Sequence, residues 1–314
     1  MAQARTIKLG IAAAVVVLVA AAASTYLYTA DKPNPIKSHP MPALFTAAQT
    51  APLQQALAAQ RPLADQAYTR WAATHPSRDD AAFTTFAIAQ LPPPPQAQQQ
   101  AAELAEVRQL AAQRIPAGIT AATWLELYGK KNIWTLYAHD LADLQSAGQG
   151  AAQIAQLKTS LALAKTLTAA GQARFNRQAP FIADPSLRTD KAGITAKPSY
   201  PSKHAVYAFT ALTLLSRAYP PRAGEYTYMA AQVAYSRLYM AGHYRSDLLA
   251  GAFLGDLIGD YETATTSAAA CPTVSTAPSP TTSAATPPTV APTGLVTASC
   301  VPPQVAVANP TPSA

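Results

Sequence analysis

The side chains best suited to chemistry lie in two short segments, and the first is "PSYPSKHA", residues 198–205. It places Ser202, Lys203 and His204 directly before the apolar run "VYAFTALTLLSRAY". Its two prolines favour extended backbone and serine is a good N-cap, so we expect a helix to begin at Lys203 or His204. The first N–H groups of a helix are unpaired and attract anions. His204 could exchange a proton with such an anion, or Ser202 could simply cap the helix while His204 packs.

The second segment, "YSRLYMAGHYRSDLLAG", begins at Tyr235 and contains another histidine. His243 and Asp247 are four residues apart, so on a helix they share one face and the carboxylate can orient the imidazole. Arg237 offers a planar fork of N–H donors that suits a phosphate. This spacing is weak support by itself, and it is the conjunction of the two segments that indicates a reactive site.

Together the segments resemble the P-S-G-H and S-R-x5-H-x3-D motifs of the type 2 phosphatidic acid phosphatase superfamily. Ser236, Arg237, His243 and Asp247 match the second motif without a gap. Within this superfamily, the soluble, exported class A bacterial acid phosphatases look most similar. The resemblance covers about residues 150–260 and implies a helical bundle of the acid phosphatase and vanadium haloperoxidase type.

The resemblance also implies an exported enzyme that hydrolyses phosphomonoesters through a phosphohistidine, without a metal or another cofactor. His243 would attack phosphorus while Asp247 orients it. His204 would protonate the leaving alcohol and later activate the water that releases phosphate. Arg237 and Ser202 would hold the phosphoryl oxygens. The expected partners are therefore small molecules that carry a phosphate ester.

The chain departs from the family at its first motif, K-x6-R-P, which aligns with "QARFNRQAP". Gln172 stands at the lysine position and Ala179 at the arginine position, so two cationic phosphate ligands are missing. Lys203 stands where the family usually has glycine, and we predict that its ammonium replaces the lost charge. The alternative is that Lys203 points to solvent. Arg174 and Arg177 could also compensate, but each lies two positions from a lost ligand and so on a different helix face.

This departure keeps other functions open beside the phosphomonoesterase. One is a related enzyme on the same scaffold, such as a vanadate-dependent haloperoxidase or a hydrolase of lipid phosphates or diphosphates. Vanadate would need the same cationic clamp, which counts against the haloperoxidase. The other is a degenerate protein that binds phosphate or serves in surface display without catalysis.

The elements that must position these side chains are predicted to be helices. The 314 residues are 49% apolar, alanine is the most frequent of these, and alternation of β-branched residues is scarce, so the sequence predicts an all-α bundle. A loop is expected from Pro180 to the start of the helix near Lys203. Helical periodicity is readable over 52–73, 96–114, 132–145, 151–178, 203–218, 224–241 and 243–260.

The composition divides the chain into four parts. Residues 1–30 are predicted to be a signal peptide or membrane anchor, 31–44 a Pro-rich linker, 45–262 the helical phosphatase-like domain, and 263–314 a disordered tail rich in Pro, Thr, Ser and Ala. The tail contains the two cysteines, Cys271 and Cys300, whose pairing the sequence leaves open.

The first of these parts sets the expected location. Arg5 and Lys8 precede an uncharged run from Leu9 to Ala30, which is typical of an export signal or a single anchor. We therefore expect the domain to work outside the cytoplasm and to meet a membrane only through this segment. The formal net charge of +7 suits anionic ligands. Basic residues interleaved with aromatics are lacking, so a nucleic-acid partner is not expected, and the oligomeric state is left open.

Overall fold

A computed structural model describes residues 34–187 and 198–270 of the chain, with side chains described to residue 264. The predicted export segment, both cysteines and residues 188–197 of the predicted loop lie outside these ranges. Within them every regular element is helical, which confirms the all-α prediction. The helices are α1 (Ala47–Ala58), α2 (Arg61–Ala72), α3 (Asp80–Gln90), α4 (Ala97–Ala112), α5 (Pro116–Tyr128), α6 (Asn132–Ala142), α7 (Ala147–Phe175), α8 (Pro180–Ala183), α9 (Lys203–Ala218), α10 (Ala223–Tyr239) and α11 (Arg245–Ala270).

The described residues up to Thr263 belong to one compact unit, and a second unit begins at Ala264. Short 3-10 turns at Pro35–Ser38, Pro185–Leu187 and Pro220–Arg222 complete the elements of the described ranges. Across the same ranges no helix combines the length and apolar character that crossing a bilayer requires.

The segment predicted to link the N-terminal run to the domain contacts the bundle over its described part. The Asn34 side chain donates to the carbonyl of Asn132, 2.7 Å away. The Trp124 indole donates to the carbonyl of His39 at 2.9 Å. Residues 34–39 are therefore held against α5 and α6.

The periodic stretch 52–73 is divided between two helices. A capping box between Thr46 and Gln49 starts α1, which ends at Ala58. Pro62 then occupies the first turn of α2, where its missing N–H costs nothing. In the middle of one continuous helix the same proline would remove a hydrogen bond and clash with the preceding turn.

Periodicity did not predict α3 and α5. The sequence of α5, "PAGITAATWLELY", begins with proline and contains glycine, threonine and isoleucine, which have low helix propensity. The helix forms because Ala121, Ala122, Trp124 and Leu125 are buried. Tertiary packing therefore overrides local preference at α5, and this helix turns out to border the site.

The C-terminal part of the bundle is built on very close contact between α9 and α11. Gly251, Gly255 and Gly259 repeat at four-residue spacing on α11 and face α9. A Cβ atom added to Gly251 would lie 2.7 Å from the Cβ of Ala205 and 2.9 Å from the carbonyl oxygen of Ser202. The missing side chains thus let the two backbones approach, and this approach places the start of α9 beside the start of α11.

A buried acidic residue lies farther along α11. Asp256 is 2% exposed and accepts a 2.7 Å hydrogen bond from the Thr213 hydroxyl. Burial raises the pKa of Asp256 to about 7, against the opposing charge of Arg61. The carboxyl group therefore holds its proton more tightly in the folded chain than in the unfolded chain.

We predict that Asp256→Asn flattens the dependence of stability on pH. The stabilisation that a raised pKa provides is complete below the pKa of the unfolded chain, near 3.8. It is lost as pH rises through the pKa of the folded chain, about 7. Between pH 5 and pH 8 the Tm of the wild-type protein should therefore fall by about 3 °C or more beyond any fall in the variant. Thermal unfolding at both pH values measures the difference, with Asp184→Asn as control because the pKa of Asp184 is lowered and it titrates below pH 5. Equal slopes in wild type and Asp256→Asn would contradict the prediction.

Candidate active site

His243 lies in the turn between α10 and α11 with a defined proton position. Its Nδ1 is 2.9 Å from the carbonyl oxygen of Ser199 and 3.4 Å from Oδ2 of Asp247. A carbonyl oxygen only accepts, so the proton is assigned to Nδ1. The lone pair of Nε2 is then available for attack, as the predicted nucleophile requires.

Asp247 is fully buried, and its carboxylate accepts hydrogen bonds from Tyr244 and Arg177. Its Oδ2 accepts the backbone N–H of Tyr244 at 2.9 Å, and its Oδ1 accepts from Nη1 of Arg177 at 2.7 Å. Nη2 of Arg177 in turn donates to Glu103 at 3.0 Å. Glu103 also accepts the N–H and hydroxyl of Ser246, at 2.9 and 2.7 Å. The carboxylate that faces His243 is thus fixed by a buried network of charges.

This network gives Arg177 a place that the sequence did not indicate. Its side chain is 5% exposed, and its guanidinium binds Asp247 and Glu103 and lies 3.9 Å from the ring centre of Tyr244. Arg174, the other arginine considered as a replacement ligand, donates to the carbonyl of Ile88 at 2.7 Å. Glu103 was missed because it lies 144 positions before Asp247 on α4 and belongs to no motif.

His204 lies in the first turn of α9, as predicted, and is buried. Its Nε2 is 3.1 Å from the carbonyl oxygen of Glu126, so Nε2 carries the proton and Nδ1 is the free acceptor. Burial lowers the pKa of His204 well below its ordinary value, and the positive charges of Arg237 and Lys130 lower it further. His204 is therefore neutral in the substrate-free protein at neutral pH.

Arg237 lies in the last turn of α10, contacts α5 and is 4% exposed. Its Nη2 donates to the carbonyl of Ala122 at 3.2 Å, and its Nε donates to the hydroxyl of Ser236 at 3.2 Å. Its Nη1 is 3.3 Å from Oε2 of Glu126. Burial lowers the pKa of Arg237 and the charge of Glu126 opposes that shift. Helix α5 thus contacts both Arg237 and His204, a role that sequence analysis missed because it did not predict this helix.

Ser202 is the N-cap residue of α9, but its side chain does not cap the helix as expected. Its backbone N–H donates instead to the carbonyl of Asp247 at 2.9 Å, which ties α9 to α11. Its hydroxyl is buried and has no hydrogen-bond partner among the described residues. The backbone of Ser202 is extended, as is usual for an N-cap residue, but its hydroxyl accepts no hydrogen bond from the first N–H groups of α9.

Lys203 begins α9, and its ammonium lies 5.6 Å from the ring centre of Tyr207, one turn further along the helix. The two positions that lack the family's cations have structural roles. The Gln172 side chain donates to the carbonyl of Pro201 at 3.2 Å, and Ala179 is the buried N-cap of α8. The substitution of Lys203 for those cations therefore stays a prediction.

The structure brings the two predicted segments together. His204 and Arg237 meet at Glu126, and His243 meets Asp247, whose carbonyl accepts the N–H of Ser202. These contacts thus connect a neutral buried histidine, a second histidine whose Nε2 lone pair is available and a buried guanidinium. Such a set can attack, protonate and hold a phosphoryl group.

Comparison with known proteins gives a family match and a similar solved structure. Residues 153–268 match the model of the PAP2 superfamily, a region that contains both motif segments. Among solved structures, a transmembrane PAP2 type phosphatidylglycerolphosphate phosphatase from Bacillus subtilis is similar, with 18% sequence identity and a TM-score of 0.40. That match covers 60% of this chain and 94% of the other. A comparison with curated proteins returned no match.

Proposed function

Residues 153–268 belong to the PAP2 superfamily, whose members are phosphatases, and from this premise we propose that the protein is an exported phosphomonoesterase. The proposed reaction needs no metal and passes through a phosphohistidine. The observation that carries the proposal is the hydrogen bond from His243 Nδ1 to the carbonyl of Ser199, which in the neutral imidazole leaves the lone pair on Nε2. The export proposal depends on the apolar run that follows Arg5 and Lys8.

In the first step Nε2 of His243 attacks phosphorus, and the bond from phosphorus to the leaving oxygen breaks. Asp247 keeps the imidazole in place and stabilises the positive charge that develops on it. His204 gives a proton to the leaving oxygen. In the second step His204 takes a proton from water, which attacks phosphorus and releases inorganic phosphate from His243.

The role of His204 depends on the bound substrate. In the free protein its burial and the positive charges around it hold its pKa low. A phosphate dianion beside it would favour the protonated imidazole, because opposite charges stabilise each other strongly where water is excluded. We therefore propose that His204 acquires its catalytic proton with the substrate, while Arg237, Ser202 and Lys203 hold the phosphoryl oxygens.

The test is hydrolysis of an aryl phosphate between about pH 4 and 8 by the full chain and by His243→Ala. Removal of the nucleophile should reduce kcat on the order of 10³-fold or more. The exposed residue His39 provides the matched control, and His39→Ala should retain activity. Equal activity in wild type and His243→Ala would refute the phosphohistidine mechanism.

One observation favours a second candidate, a catalytically degenerate protein that binds phosphate. Gln172 and Ala179 supply no charge where the family has two cations, and Arg177 is bound to Asp247 and Glu103. Each lost charged hydrogen bond costs about 1.5–3 kcal/mol, enough to slow catalysis severely. A folded wild-type protein that binds inorganic phosphate without turning over esters would favour this candidate.

A further inference from the structure

The contact between Arg237 and Glu126 joins side chains of very different exposure. The Arg237 side chain is 5% exposed, whereas that of Glu126 is 46% exposed. Glu126 lies in the last turn of α5 and reaches from the surface onto the buried guanidinium. A negatively charged group of the protein therefore sits on the cation that the proposed function assigns to the substrate.

The other two donor nitrogens named for Arg237 are bound by neutral groups. Nη2 is used by the carbonyl of Ala122 and Nε by the hydroxyl of Ser236. Nη1 faces the Glu126 carboxylate at 3.3 Å. A phosphoryl oxygen that approaches this nitrogen would meet the Glu126 carboxylate there, and two anions cannot share the position without strong repulsion.

The two contacts of Glu126 are separable. His204 bonds to its backbone carbonyl, and Arg237 pairs with its side-chain carboxylate. Rotation of the side chain into solvent would break the ion pair and leave the His204 hydrogen bond intact. A half-exposed carboxylate regains water readily when it moves, so this displacement is a small conformational change.

Given the proposed function, we propose that Glu126 is an internal competitor for the phosphate-binding site. Its carboxylate occupies Arg237 in the substrate-free protein and is displaced when a phosphoryl group binds. It balances the buried positive charge of Arg237, which pairs with no other carboxylate in the described part of the chain, and it lowers the affinity of the site for every anion, substrate and product alike. A phosphate dianion displaces it because it brings more charge to Arg237 than one carboxylate does.

Glu126→Gln tests the proposal because it removes the charge and keeps the shape. The probe is inorganic phosphate, titrated into the full chain by calorimetry at constant ionic strength. We expect the Kd of Glu126→Gln for phosphate to be about 5- to 30-fold lower than that of wild type. This factor lies between the contribution of an exposed ion pair and that of a hydrogen bond to a charged group. The KM for an aryl phosphate should fall by a similar factor without a rise in kcat. Glu225→Gln is the matched control, since Glu225 pairs with Arg222 away from the site and its loss should leave Kd unchanged.

The outcomes separate this proposal from the proposed function. Tighter phosphate binding by Glu126→Gln supports the competitor whether or not the protein turns over esters, because binding is measured without catalysis. An unchanged or higher Kd in a folded variant overturns it, as does absence of phosphate binding in both proteins. Glu126→Ala is a second variant for the case in which the glutamine amide itself binds Arg237. This variant should also bind phosphate more tightly than wild type.

Discussion

Replacement of Arg177 with methionine should destabilise the protein by about 3–5 kcal/mol. The substitution leaves two buried carboxylates, Asp247 and Glu103, without the guanidinium that lies 2.7 and 3.0 Å from them. The side chains of these acids are 0% and 9% exposed, so water cannot replace the lost partner. A loss of this size is a large part of the stability of an ordinary domain. Chemical denaturation of wild type and Arg177→Met measures it.

Two further variants identify the cause. Arg108→Met removes an ion pair whose arginine side chain is 56% exposed, so its effect should be much smaller. Glu103→Gln combined with Arg177→Met removes one of the two stranded charges and should recover part of the loss. If Arg177→Met were as stable as Arg108→Met, the buried network would not be holding the fold together.

The same substitution should reduce catalysis in whatever protein remains folded. Asp247 would keep its hydrogen bond from the Tyr244 N–H but lose the one that fixes Oδ1. The imidazole of His243 would then lose its fixed neighbour, which lies 3.4 Å away. A fall in kcat with little change in KM for an aryl phosphate is expected, because Arg177 orients a catalytic group and does not touch the substrate.

The sequence predicted the parts of the site that are local in the chain. The helix from Lys203 to Ala218 begins and ends where the pattern indicated, because proline, serine and an apolar run act within a few residues. His243 and Asp247 lie together as their spacing suggested, although His243 precedes α11: the carboxylate of Asp247, in the first turn of that helix, reaches back to the Tyr244 N–H and to Nδ1 of His243. Such signals depend on backbone geometry alone and need no knowledge of the remaining chain.

The parts that escaped prediction depend on contacts between distant elements. Glu103 and Glu126 belong to helices whose charged residues look like ordinary exposed positions in the sequence. Their roles appear only when packing brings α4 and α5 against α10 and α11. The same holds for the Ser202 side chain, whose hydroxyl makes no capping hydrogen bond although local preference favours one. Long-range pairing of charges has no periodic signal that one sequence could reveal.

The close approach of α9 and α11 leads to the second large effect, expected for Gly255→Ala. A glycine inside a helix normally costs about 0.5–1 kcal/mol relative to alanine, so this change would stabilise an ordinary helix. Here the new Cβ would lie 2.6 Å from the carbonyl oxygen of Val206, 2.7 Å from the Cβ of Phe209 and 2.9 Å from the N of Thr210. These atoms belong to the backbone or lie directly on it, so only separation of the two helices relieves the clash. We expect a loss of about 1–3 kcal/mol instead of a gain.

Gly148→Ala is the matched control, because a Cβ at that position of α7 meets no atom within 4 Å. It should be neutral or slightly stabilising in the same denaturation experiment. Separation of α9 from α11 would also stretch the 2.9 Å hydrogen bond from the Ser202 N–H to Asp247, so Gly255→Ala should lose activity as well as stability. Equal stability of the two alanine variants would mean that the helices can part without cost. In that case the glycines of α11 would not be what keeps the start of α9 beside the start of α11.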